Sequence, residues 1–307
     1  MNTPLRYPGG KSRAVKTLME FIPQDCKELC SPFLGGGSFE LALADKGIKI
    51  HAYDGFKPIV WFWHALLKNP EKLANIADSY RKAKTYNYKK PRSEEIEKIR
   101  AKGLPKDDFL RFREEISFAL QQNHKFNYET AAKVYAVNRS SFSGATFSGG
   151  FSERASYARF TDAQIEYIRN FKIDNFKVGH ADFRHSLSKH DCCLYLDPPY
   201  FLEGQRNNLY GDKGDMHTGF AHLDLFSVLR ERDNWILSYN DCPEIRSLYR
   251  DYKIHEVGWA YGMKNTQSKN AEKAKKMGKS SELVITNLPT KILFNTLNLT
   301  GDENGES

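Results

Sequence analysis

The start of the chain combines apolar segments and glycines in an order that few folds can accommodate. The pattern predicts a strand at Glu28–Phe33, a glycine turn at 35–37, a helix at Phe39–Ala44 and a second strand at Ile48–Tyr53 that ends in Asp54. Doubly wound α/β sheets have elements in this order and carry their sites at the carboxyl ends of the strands. We therefore predict an α/β fold of this kind.

The same alternation returns in the second half of the chain. Cys192–Leu196 is continuously apolar, as expected for a strand at the centre of a parallel sheet that is covered on both faces. The residues after it predict a helix, a strand, a helix and a strand, at His222–Arg232, Trp235–Tyr239, Ile245–Tyr249 and Glu282–Asn287. These elements extend the predicted sheet.

The composition changes between the two halves. Residues 66–132 are highly charged and have helical periodicity, whereas residues 138–156 are rich in Ser, Gly and Phe, which suits a hairpin or an extended loop. The chain is therefore predicted to have three parts, namely a discontinuous α/β domain at 1–65 and 158–290, a mainly helical insert at 66–157 and a disordered, polar tail at 291–307.

Basic residues outnumber acidic ones, with 46 Lys and Arg against 38 Asp and Glu and a formal net charge of +8. A basic surface attracts polyanions such as nucleic acids, although a basic balance is also found in proteins with no such partner. Charge alone therefore does not decide between these two interpretations.

The chain has five cysteines, an odd number, and they lack the spacing of metal ligands. They are therefore predicted to be reduced, and no metal site is expected. No apolar run approaches the roughly 20 residues that cross a bilayer, and the first residues have no signal-peptide pattern. We expect a soluble, cytoplasmic protein with no membrane partner.

The segment Asp197-Pro198-Pro199-Tyr200 directly follows the predicted central strand. Because two prolines cannot continue a strand ladder, the chain turns at the carboxyl edge of the sheet. A carboxylate and a carbonyl could there accept both N–H bonds of a planar amine while Tyr200 stacks on its ring. This arrangement exposes the nitrogen lone pair to an electrophilic methyl group. Asp-Pro-Pro also occurs as a plain turn, without chemistry.

Three separated motifs, Arg6–Lys11, Pro32–Ser38 and Asp197–Tyr200, follow the order found in Dam-type DNA adenine-N6 methyltransferases, which the chain resembles over residues 5–288. The resemblance implies a Rossmann-like methyltransferase sheet, S-adenosyl-L-methionine as cofactor and methylation of a flipped adenine in double-stranded DNA. It also implies that the α/β domain binds the cofactor and that the insert recognises the target. The sequence departs from the family at Ser31, where many relatives carry an acid.

The resemblance also implies roles for individual residues. Asp197, Pro198, Pro199 and Tyr200 would be catalytic. The predicted cofactor contacts are Tyr7, Lys11, Pro32, Phe33, Gly35, Gly37, Asp54, Asp182, Phe183 and Asp197. Tyr7 and Lys11 would line the methionine and adenosine ends of the cofactor. Asp54 would bind the ribose hydroxyls, and the Asp182-Phe183 pair would hold the adenine by its amino group.

The insert and a lysine-rich loop at 264–279 would contact DNA. Phe142 matches the aromatic residue that wedges into the double helix in Dam-type enzymes, although an ordinary loop aromatic is equally compatible with the sequence. The loop is predicted to track the phosphate backbone and to become ordered on binding. The other candidate DNA contacts are Arg139, Arg154, Arg159, Lys264 and Lys269, of which any arginine could equally be a surface charge.

Other functions stay open at this point. A cytosine-N4 methyltransferase performs the same chemistry on the same kind of amine, although such enzymes more often carry Ser in place of Asp197. A catalytically silent DNA-binding module could keep the same scaffold, and an RNA substrate is a third alternative. The sequence leaves open whether a cognate restriction endonuclease is a partner of this protein, and it implies no oligomer. An ATPase is excluded because Leu5 stands where a phosphate-binding loop needs glycine.

Overall fold

The computed structural model describes residues 1–89, 96–146, 148–201, 220–258 and 281–288. Within these ranges the strands are β1 Glu28–Ser31, β2 Lys49–Asp54, β3 Lys82–Lys89, β4 Ile96–Gly103, β5 Phe176–His180, β6 Cys193–Leu196, β7 Trp235–Asn240, β8 Lys253–Gly258 and β9 Ser281–Thr286. The helices are α1 Val15–Met19, α2 Ser38–Ala44, α3 Lys57–Lys68, α4 Pro70–Ser79, α5 Lys106–Gln121, α6 Tyr128–Ser140, α7 Glu153–Arg159, α8 Asp162–Arg169, α9 Phe183–Ser188, α10 His222–Arg230 and α11 Pro243–Leu248. None of these described helices is long and apolar enough to cross a membrane.

Seven of the described strands form one sheet, in the order β5-β2-β1-β6-β7-β9-β8. The first five strands of this order are parallel, and β9 pairs antiparallel with both β7 and β8. The strand order reverses between β1 and β6, and open α/β sheets bind their ligands at the carboxyl ends of the strands beside such a point. The prediction of a doubly wound, Rossmann-like sheet is confirmed.

The central strand β6 is buried on both faces of the sheet. Cys193 and Tyr195 belong to one apolar cluster, whereas Leu194 and Leu196 belong to another on the opposite face. A continuously apolar strand is what such a position requires, because neither set of alternating side chains reaches water. The predicted central position of this strand is therefore confirmed, with its start moved by one residue.

The insert contains a hairpin that the charge pattern concealed. Residues 66–132 were predicted to be helical, but β3 and β4 pair antiparallel over eight residues each. Conversely, the predicted hairpin or loop at 138–156 begins inside α6, and strand-like pairing among its described residues is limited to an isolated bridge from Ser141 to Phe151. Lysines on alternate positions of β3 and β4 hid the period of two, because a strand with one exposed face needs few apolar residues.

Two further differences concern the ends of the sheet and of the chain. Strand β8 was not predicted, since an edge strand shows only a weak apolar pattern. The apolar spacing from Ser12 to Ile22, ended by Pro23, predicts a helix. The structure limits this helix to α1, and a 3-10 turn at Lys11–Arg13 precedes it. The turn directs the Lys11 side chain into the protein, where it is buried.

Candidate active site

Asp197 follows the carboxyl end of β6, near the middle of the sheet. Pro198 and Pro199 come next and lack the backbone N–H groups that would continue the ladder, so the chain leaves the sheet here. The Asp197 side chain is 21% exposed. One carboxylate is thus presented at the sheet edge where β1 also ends, as the sequence predicted.

Lys11 is the cation that faces this carboxylate. Its Nζ atom lies 2.7 Å from Asp197 Oδ1 and donates to the Tyr200 hydroxyl at 2.8 Å and to the Gly9 carbonyl at 3.3 Å. Only 4% of the lysine side chain is exposed. A buried ammonium is stable only when it is paired and hydrogen-bonded. The structure therefore brings Lys11, a predicted cofactor residue, against the segment predicted to be catalytic.

Glu282 is a second carboxylate near the same lysine, and sequence reasoning missed it. Its Oε2 atom lies 3.9 Å from Lys11 Nζ, and its side chain is 1% exposed. It belongs to β9, whose other residues from Leu283 to Ile285 are apolar and buried. A single acid in an otherwise apolar strand was the available signal, because such a residue is rarely buried without a partner.

The electrostatics of Asp197 depend on these neighbours. Burial raises the pKa of Asp197 above its usual value, and the Lys11 ammonium acts in the opposite direction by stabilising the carboxylate. Burial also raises the pKa of the Tyr200 hydroxyl, so this group stays neutral and can donate a hydrogen bond. Lys11 is thus the group that favours the ionised form of Asp197 in a partly buried position.

The glycine turn after β1 is held by Asp54 and packs on Tyr7. Gly35 and Gly37 have φ angles of +46° and +66°, which glycine adopts without strain. A Cβ atom on Gly35 would lie 2.7 Å from the Tyr7 ring. Asp54 is buried and accepts hydrogen bonds from the backbone N–H groups of Gly35, at 2.8 Å, and Phe56, at 2.7 Å. The contact of Asp54 with ribose remains a prediction.

Three phenylalanines form an aromatic cluster beside Asp182. The ring of Phe33 lies 5.8 Å from that of Phe183 and 5.6 Å from that of Phe220, and the last two are 5.5 Å apart. Asp182 is exposed and caps α9 by accepting from the Arg184 N–H. Aromatic faces next to a carboxylate suit a flat ring with an exocyclic amino group. Phe220 was not among the predicted residues, since it lies in no motif.

Ser31 stands at a position where an acid was expected, and an acidic side chain from another element lies next to it. Its hydroxyl donates to Glu40 Oε1 at 2.7 Å. Glu40 lies on α2 among buried apolar residues, and burial raises its pKa to about 7. A carboxyl group is therefore present next to position 31, but it comes from the helix after the turn. The signal for it was again a single acid in an apolar element.

A family model named D12 class N6 adenine-specific DNA methyltransferase matches residues 7–263, which is more than half of the chain. The chain belongs to this family. The match covers Tyr7, Lys11 and the Asp197–Tyr200 segment, whereas Glu282 lies beyond it. The predicted resemblance is confirmed, and the protein is an adenine-specific DNA methyltransferase.

In this D12 class enzyme, Phe142 lies on a loop joined to the N-terminal segment, and its side chain is 65% exposed. Asn138 accepts from the Arg6 N–H at 2.9 Å and donates to the Arg6 carbonyl at 2.6 Å. Gly144 has a φ of +75°, and a Cβ there would lie 2.5 Å from Arg6 Cβ. The loop is therefore fixed at its base, while Phe142 projects into solvent.

The predicted DNA-binding arginines of the methyltransferase differ in position. Arg139 is only 7% exposed, and it donates to the carbonyls of Arg159, at 2.9 Å, and Pro4, at 3.3 Å. Since these bonds occupy its guanidinium, we do not assign Arg139 to the DNA surface. Arg154 and Arg159 are exposed. The remaining two predicted contacts, Lys264 and Lys269, lie outside the described residues.

Proposed function

We propose that this enzyme transfers a methyl group from S-adenosyl-L-methionine to N6 of an adenine that is flipped out of double-stranded DNA at a specific site. The observation that carries the proposal is the Asp197 carboxylate at the end of β6, paired with buried Lys11 and followed by Tyr200. We assign the cofactor and the chemistry to residues 1–65 and 158–290, and target recognition to residues 66–157.

The residues around the glycine turn fit the cofactor. Phe33 and Phe220 are partly exposed above buried Phe183 and could pack against an adenine ring. Exposed Asp182, which also accepts from the Arg184 guanidinium at 3.1 Å, could accept from the amino group of that ring. The glycine turn allows close approach of the backbone at the carboxyl end of β1. When bound, S-adenosylmethionine supplies an electrophilic methyl group on a positively charged sulfur.

Asp197 orients the target amine in this proposal. Its carboxylate accepts one N–H of the amino group, and Tyr200 supports the base by stacking. The N6 lone pair, exposed by this orientation, would accept the methyl group that the bound cofactor supplies, and the proton that N6 releases would pass to solvent. Lys11 contributes by keeping Asp197 ionised, because only the carboxylate is a full acceptor.

Phe142 is proposed to fill the space that the flipped adenine leaves. Phe142→Ala is expected to weaken methylation of an intact duplex about tenfold, since unstacking a base step costs about a few kcal/mol. On a duplex with an abasic site opposite the target adenine, the same substitution should lower the methylation rate much less, because the unpaired target adenine is already free to move. The measurement is kcat/KM on both duplexes.

The matched control is Phe118→Ala, since Phe118 is also an exposed phenylalanine but lies on α5. This variant should behave like wild type on both duplexes. An equal loss on the intact and the abasic duplex in Phe142→Ala would contradict the wedge and indicate a general effect on the enzyme.

The proposed function is tested by incubating the purified enzyme with tritiated S-adenosylmethionine and unmethylated genomic DNA. Nucleosides from the product are expected to contain N6-methyladenine by mass spectrometry. N4-methylcytosine in its place would identify the cytosine-N4 alternative, and methylation of RNA alone would reject a DNA substrate. Failure to bind S-adenosylmethionine in calorimetry would favour the silent module. Sequencing of modified DNA would then map the target site.

A further inference from the structure

The β3–β4 hairpin has two faces with different charge environments. Side chains at Lys82, Lys84 and Tyr86 share the face that packs on the rest of the protein. Lys84 pairs with Glu153 of α7 at 2.7 Å, Lys82 pairs with an acid of α5 at 2.9 Å, and Tyr86 is buried. The basic residues of this face are therefore neutralised within the protein.

Among the side chains that the structure describes, the opposite face carries three exposed cations. Lys98, Arg100 and Lys102 alternate along β4, so they point to the same side of the hairpin, and all three are exposed. Their cross-strand neighbours are Asn87, Thr85 and Ala83, none of which is acidic. Among the residues that the structure describes, none of the three cations forms an ion pair. We call Lys98, Arg100 and Lys102 the cationic row.

The hairpin is attached to the helix that follows the Phe142 loop. A Cβ on Gly103 would lie 2.8 Å from the Ser156 carbonyl oxygen, and the Ser156 hydroxyl donates to the Leu104 carbonyl at 2.7 Å. The Tyr86 ring lies 5.2 Å from that of Tyr157. Isolated two-stranded hairpins are marginally stable. These contacts with α7 therefore hold the cationic row in a fixed orientation.

We propose that the cationic row binds the phosphate backbone of the duplex DNA substrate, an inference that rests on the proposed function. Residues two apart in a strand are separated by about 6.6 Å, so the row extends about 13 Å. That length covers about four phosphates of one DNA strand, at about 3.4 Å of helix axis each. These exposed cations form no ion pair with other described residues and can therefore replace the counterions of such a polyanion.

The test is a charge-neutralised variant, Lys98→Gln with Arg100→Gln and Lys102→Gln, measured by fluorescence anisotropy on labelled duplexes between about 50 and 200 mM salt. If each cation contacts one phosphate, the slope of log affinity against log salt should become less steep by about 2.7. The change should be equal for duplexes with and without the target site, because phosphate contacts carry no sequence information. Arg100→Gln alone should change the slope by about 0.9.

The matched control replaces three other exposed lysines, Lys27, Lys46 and Lys189, with glutamine. They precede the amino ends of β1, β2 and β6, at the sheet edge opposite the active site, and this variant should keep the wild-type slope. An unchanged slope in the cationic-row variant of an enzyme that methylates DNA would overturn the proposal and leave the function intact. A wild-type protein that neither binds nor methylates DNA would overturn both.

Discussion

Replacing Asp197 with asparagine is expected to lower the rate of methyl transfer by about 10²- to 10³-fold, the range typical for loss of one preorganised hydrogen-bonding group at a reacting centre. Asparagine has the same shape, but it offers one acceptor oxygen and an NH₂ group that only donates. The Lys11 ammonium and the adenine amine are both donors, so they would compete for a single oxygen. Single-turnover transfer of tritiated methyl to DNA measures the effect.

Binding of S-adenosylmethionine should weaken less than methyl transfer slows in this variant, because the aromatic cluster and the glycine turn remain in place although Asp197 is itself a predicted cofactor contact. The matched control is Asp191→Asn. Asp191 precedes β6 at the other end of the same strand, and its side chain is fully exposed. A rate within tenfold of wild type in Asp197→Asn would contradict the proposed role of the carboxylate.

The edge of the sheet that carries the site was predictable from the sequence. Parallel strands end at one edge, so the acid that ends β2, the glycine turn after β1 and Asp197 after β6 had to meet there. The apolar pattern of β6 was decisive, because a run without alternation fits only a strand buried on both faces. Local apolar patterns and the rule that parallel strands end at one edge were sufficient to predict where the site lies in the sheet.

The partners of Asp197 were not predictable in the same way. Lys11 is distant in sequence, and its burial results from a 3-10 turn where a regular helix was expected. Glu282 is brought near by β9, the strand that runs antiparallel to its neighbours. The β3–β4 hairpin was hidden because its exposed face is charged. In each case the role depends on which residues meet in the folded protein, and the local sequence around a polar residue does not show this.

Replacing Lys11 with methionine is expected to have the other large effect. The change removes a cation that lies beside two carboxylates, those of Asp197 and Glu282. Leaving a buried charge without its partner typically costs about 3–5 kcal/mol, or the group takes up a proton instead. Because Lys11 lowers the pKa of Asp197, its loss should raise that pKa further above the usual value. Methyl transfer should then fall strongly at neutral pH.

The direction of the pH dependence distinguishes control of Asp197 ionisation by Lys11 from a purely structural role of this lysine. Asp197 must be ionised to accept from the amine, so activity is lost as the pH falls through its pKa. In Lys11→Met this loss should occur at higher pH than in wild type, and part of the activity should return at alkaline pH. Lys16→Met, a change of an exposed lysine on α1, is the control and should keep the wild-type profile.

Adding Glu282→Gln to Lys11→Met should restore part of the lost free energy of unfolding, since the surplus negative charge is removed. A uniform loss of activity at every pH, without this recovery of stability, would show that Lys11 does not control the ionisation of Asp197.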